Sequence, residues 1–80
     1  MDDRTLIRTY LFSELLPIPP KDWPRDGEDL FTLGLDSLRI MRLLVFLEER
    51  LKVIIPDQEI TSERLASIDA IVALVGSHRA

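Results

Sequence analysis

Four of the chain's five prolines, Pro17, Pro19, Pro20 and Pro24, crowd into one short stretch that Gly27 then extends. Each proline lacks an amide hydrogen and fixes its own φ, so neither a helix nor an inner strand can cross this stretch. Any helix upstream must therefore stop by Leu16, and the next element must start afresh beyond it. The whole interval from Pro17 to Leu35 reads as a long connection, of the kind that is pinned or functional in a small domain. Trp23, Leu30, Phe31 and Leu33 are the expected pins, folding it back onto its neighbours.

On either side of that interval the pattern is helical. Asp2 and Asp3 place acid where the positive end of a helix dipole favours it. Leu6, Ile7, Tyr10, Leu11 and Leu15 then repeat at three- and four-residue spacing, which predicts a first helix over about 3–16. Ile40, Leu43, Leu44, Leu47 and Leu51 set a second over about 37–52, ended by the β-branched run Val53-Ile54-Ile55 and Pro56. Thr61 opens a short helix over 61–66, and Ser67 caps a last one over 68–77 with Ile68, Ile71, Val72 and Val75 inward and Gly76 as its stop. The expected fold is all-α: a four-helix bundle of three main helices and one short one, with the long loop between the first two. A chain of 80 residues supports one core, so residues 1–80 form a single domain.

Composition narrows the function by exclusion. A net charge of −4, with scattered basic residues, argues against a nucleic-acid surface and against an anionic membrane. There is no cysteine and one histidine, so disulfides and thiolate or histidine metal sites are not expected. Met1-Asp2-Asp3-Arg4 lacks the form of a secretory leader, and no apolar run reaches the roughly 18 residues of a membrane span. A cytoplasmic monomer is expected.

One short block remains to be explained. Gly34-Leu35-Asp36-Ser37-Leu38 delivers a serine to the start of the second helix. A serine nucleophile needs a base and a group to orient it. His78, the sole histidine, is expected in a fraying tail past Gly76. The esterases named for a Gly-Asp-Ser-Leu block do not fit either, since Leu35 intervenes and no Asp-x-x-His follows. Asp36 and Ser37 are also ordinary helix caps. An attachment point explains more: a helix N-terminus favours a phosphate ester, Gly34 permits the tight turn, and the long loop leaves the serine exposed.

Leu30-Phe31-Thr32-Leu33-Gly34-Leu35-Asp36-Ser37-Leu38, then Leu47-Glu48-Glu49 and Ile55-Pro56-Asp57, resembles the acyl and peptidyl carrier proteins over essentially the whole chain. That resemblance implies an acyl-carrier-like bundle with 4′-phosphopantetheine on Ser37, taken from coenzyme A by a phosphopantetheinyl transferase that also reads Asp36. It implies a thioester-bound acyl or aminoacyl cargo and a protein that is a cosubstrate, not an enzyme. Further partners would be a loading ligase or acyltransferase and condensing or modifying enzymes. The segment around Ile54, Ile55 and 61–66 is expected to open most readily.

Leu38, Met41 and Val45 fall outside the core stripe and predict a docking ridge, with Arg39, Arg42, Glu48, Glu49 and Ile55 beside it. Carriers of fatty-acid synthesis resembling this chain are acidic along this helix, whereas Arg39, Arg42 and Arg50 are basic here. Reversed charge at a rim penalises a wrong partner by several kcal/mol. The expectation is a discrete carrier for a specialised lipid, polyketide or nonribosomal peptide pathway. The alternatives are a housekeeping fatty-acid carrier and a cofactor-free interaction module.

Overall fold

The computed structural model describes residues 2–79, so Met1 and Ala80, which bound the expected domain and begin the leader reading, lie outside it. The described residues are all-helical, with three α-helices and no strand. Helix α1 spans Asp3–Tyr10 and widens into a π-helical turn over Leu11–Leu15. Asp2 caps it by accepting from the Thr5 N–H at 2.7 Å. The wider turn keeps Leu11, Phe12, Leu15 and Leu16 together on the buried side. Helix α2 spans Ser37–Leu51, and α3 spans Ile68–His78 behind its Ser67 cap.

The core is aliphatic, as the sparse aromatics require. Ile7, Leu11, Phe12, Leu30, Leu43, Leu47, Ile68, Ile71 and Val75 are fully enclosed. In α2 the buried set is Leu43, Phe46, Leu47 and Leu51, while Ile40 and Leu44 are only partly covered. In α3 Leu74 joins the buried stripe and Val72 is half-buried. No described helix is long and apolar enough to cross a membrane.

The connection from Pro17 to Leu35 is pinned as expected, but by a partly different set. Leu30 is buried, Trp23 and Phe31 pack on the core's edge, and Leu33 is exposed. The Trp23 Nε1–H donates to the Ile18 carbonyl at 2.8 Å. Arg8 completes the fastening: it donates to the Asp26 carboxylate and, at 2.9 Å, to the Pro24 carbonyl, with its guanidinium over the Phe12 and Trp23 rings. Pro20–Asp22 nevertheless forms one 3₁₀ turn, because a proline is tolerated in the first turn of a helix, where its missing N–H is not needed.

Three expectations need correction. Residues 61–66 form a single turn, not a helix: Thr61 Oγ1 accepts from the Arg64 N–H at 3.2 Å and its carbonyl from Leu65, and no further turn follows. A separate 3₁₀ turn at Asp57–Glu59 lies just upstream, and the fourth helix of the bundle is absent among the described residues. Helix α3 runs through Gly76 to His78, because Arg79 donates to the Asp3 carboxylate and to the Leu51 carbonyl and so holds the helix end. His78 is accordingly packed rather than frayed. Its Nε2 is buried and lies 2.9 Å from Glu59 Oε1 without hydrogen-bond alignment.

Candidate functional site

The Gly34–Leu38 block sits where the long connection meets α2. Leu30 is tied down from both directions: its N–H donates to the Ala66 carbonyl at 2.7 Å, and its carbonyl accepts from Leu33 and Leu35. The 3₁₀ turn Phe31–Leu33 ends at Gly34, whose φ of 111° lies in the left-handed region that favours glycine. A Cβ there would also stand 3.5 Å from Leu16 Cδ2. Leu35 then turns into the core, and Asp36 extends as the cap of α2.

Ser37 is the first residue of α2, and it is exposed. Its hydroxyl makes no hydrogen bond among the described residues. Asp36 Oδ1 accepts from the Arg39 N–H at 2.9 Å and Oδ2 from Arg39 Nη1 at 2.8 Å. The Arg39 N–H, ahead of the Arg39 charge, holds the Asp36 carboxyl below its ordinary pKa against a smaller desolvation cost. The carboxylate next to Ser37 is thus already partnered. A phosphodiester on the hydroxyl would sit at a helix N-terminus, over unpaired N–H groups, with its acidic neighbour neutralised. The residues present fit 4′-phosphopantetheine.

Beyond the serine, Leu38, Met41 and Val45 are 62, 63 and 51% exposed, so they do form a ridge. With Arg42 and Tyr10 they line a groove of about 320 Å³. It runs on into a second, of about 490 Å³, between α1 and α2. Tyr10 belongs to both, a role that its place in the core stripe of the first helix concealed. Glu48 and Glu49 are exposed as expected.

Two of the expected docking residues stand elsewhere. Ile55 is only 7% exposed and belongs to the core, whereas its neighbour Ile54 is 72% exposed. Lys52, in a left-handed conformation at φ 59°, ends α2 and sets the register in which Val53 and Ile55 turn inward. Arg39 faces back into the protein: besides Asp36, it serves the Leu15 carbonyl, to which Nε donates at 2.9 Å. Arg50 lies with its guanidinium 5.8 Å from the Phe46 ring centre. Of the three arginines on α2, Arg42 is the one that lines the groove beside the ridge.

Comparison with known proteins identifies the family. The family described as "phosphopantetheine attachment site" matches residues 9–75. An acyl carrier protein of Wolinella succinogenes is 29% identical over 66 residues, covering 82% of this chain and 84% of that protein. A chain in the crystal structure of an engineered Bradyrhizobium japonicum glycine:carrier-protein ligase complexed with carrier protein from Agrobacterium tumefaciens and AMP is similar at 31% identity. It has a TM-score of 0.77 and covers 91% of this chain and 97% of that one. The B. japonicum ligase with its cognate carrier protein gives a TM-score of 0.69 at 23% identity over 92% of this chain and 91% of that one, a likeness of fold.

Proposed function

The chain belongs to the phosphopantetheine-binding family of acyl and peptidyl carrier proteins, and we propose that Ser37 is where it carries the group. The family's covalent 4′-phosphopantetheine supplies a thiol on a flexible arm, to which cargo is joined as a thioester. The observation that carries the assignment is the exposed Ser37 hydroxyl at the first position of α2, beside a carboxylate already engaged by Arg39. The carrier contributes position, not chemistry: tethering raises the effective concentration of a substrate at successive active sites.

The test is to incubate the protein with coenzyme A and a broad-specificity phosphopantetheinyl transferase, then weigh it. Wild type should gain the mass of the arm and Ser37→Ala should not. No gain on wild type, or an equal gain on the variant, rejects the assignment.

We further propose a discrete carrier of a specialised pathway, acting as a cytoplasmic monomer and loaded with an amino acid by an ATP-dependent ligase. The likeness to a chain crystallised with a glycine:carrier-protein ligase supports the aminoacyl cargo. Arg42 beside the apolar ridge supports partners other than those of housekeeping fatty-acid synthesis. An acyl cargo is the second reading, favoured by the likeness to the Wolinella acyl carrier protein. Weighing the protein isolated from its native cells separates them: an aminoacyl increment supports the first, a fatty-acyl increment the second.

A further inference from the structure

The prolines that end the first helix create a need that only a distant residue meets. A helix leaves its last carbonyls without intrahelical partners. For the Leu15 carbonyl, the donors one α- or π-helical turn onward would be the amides of residues 19 and 20, and both are prolines. The amide three residues onward belongs to Ile18 and is already given to Phe12 at 3.0 Å. Arg39 Nε supplies the missing donor at 2.9 Å, while Nη1 of the same guanidinium holds Asp36 at 2.8 Å.

One planar fork therefore joins the end of α1 to the cap of α2, on either side of the turn that presents Ser37. The same corner closes around a pocket of about 250 Å³ lined by Leu15, Leu16, Gly34 and Arg39 among others, so the fork is also its wall.

We infer that Arg39 is the positioning residue of the attachment turn, bridging Asp36 to the Leu15 carbonyl and so fixing the orientation from which the Ser37 hydroxyl is presented for phosphopantetheinylation. This rests on Ser37 being the attachment site. Arginine suits the task because its donors lie in a rigid fork that spans two acceptors at once. Lysine keeps the charge, but its ammonium is a compact point charge without the planar fork that spans both acceptors. Arg39 thereby leaves the set of docking cations on α2 and becomes part of the frame of the turn.

Two measurements test it on Arg39→Gln and Arg39→Lys, each first shown folded by circular dichroism. The first follows the Asp36 carboxyl by carbon-detected NMR titration in the unmodified protein, and needs no transferase. The Asp36 pKa should rise measurably in Arg39→Gln, though only in part because the backbone N–H of residue 39 still caps the carboxylate, and stay near wild type in Arg39→Lys. An unchanged Asp36 titration in Arg39→Gln overturns the clamp.

The second splits KM from kcat for arm transfer. Both variants should lose about tenfold or more in kcat with the transferase KM little changed, since misorientation acts in the reacting complex. A rise in KM alone, or full rescue by Arg39→Lys, would make Arg39 a charge contact for the transferase and overturn the positioning role. A kcat within about twofold of wild type in both variants overturns it as well. If wild type takes up no arm, the assignment of Ser37 fails and the positioning role falls with it, while the titration still decides whether the Arg39 guanidinium holds Asp36.

Discussion

The ring of Tyr10 lies flat on that of Phe46, with centroids 4.0 Å apart and planes 9° from parallel. This stack closes the seam between α1 and α2 directly behind the ridge of Leu38, Met41 and Val45. Tyr10 reaches across it, its hydroxyl donating at 3.4 Å to the Arg42 carbonyl. The larger groove, between α1 and α2, is thus lined by the same two rings that join the helices. Phe46→Ala should cost about 3 kcal/mol, the low end for a buried phenylalanine, because Phe46 keeps a small exposed edge. Urea unfolding should show a lower midpoint with an unchanged slope.

Ile54 and Ile55 offer an internal control one residue apart, since the first is exposed and the second is core. Ile55→Ala should destabilise by about 2 to 4 kcal/mol through lost burial and the cavity left behind. Ile54→Ala should stay within about 0.5 kcal/mol of wild type. Equal effects at both positions would place the inward register on the wrong residue.

Asp26 couples the long connection to α1 through Arg4 and Arg8. Burial pushes its pKa up, but the hydrogen bonds and charges of the two arginines outweigh that, and the net shift is downward. A carboxylate depressed in the folded state stabilises the fold above its unfolded pKa of about 3.9, and the contribution is lost as pH falls through the folded value. Asp26→Asn should therefore cost about 1 to 2 kcal/mol at neutral pH and flatten the acid limb of the stability profile. Unfolding midpoints compared between about pH 2 and pH 7 would check both.

Arg42 is the cation beside the ridge that no side-chain ion pair engages among the described residues. Arg42→Glu should leave stability within about 0.5 kcal/mol of wild type. It should weaken binding to the cognate loading ligase by about tenfold, and strengthen binding to a ketosynthase of fatty-acid synthesis. Calorimetric titration against both enzymes measures the exchange. Unchanged affinities would remove Arg42 from partner choice.

Much of the architecture was legible because it depends on neighbours in sequence. Prolines stop a helix wherever they fall, and Asp2, Asp36 and Ser67 cap because a short polar side chain reaches an N–H three residues on. The apolar repeat located all three α-helices and left Leu38, Met41 and Val45 outside the core stripe. It passed over Phe46, whose burial depends on meeting Tyr10. The Thr61 cap, for its part, predicted a helix over Thr61–Ala66 that does not form, since a good cap starts a turn but packing must sustain the next.

The sequence by itself determined where the three α-helices begin and that one serine opens the second, because caps, breakers and periodicity act over a few residues. Only the tertiary structure decided which neighbour of each pair faces inward, Ile55 over Ile54, and what the arginines of α2 do. A guanidinium reads alike in sequence whether it meets solvent or an orphaned carbonyl. The donors that would have served Leu15 are prolines, and Arg39 reaches that carbonyl from 24 residues away only once the two helices have packed.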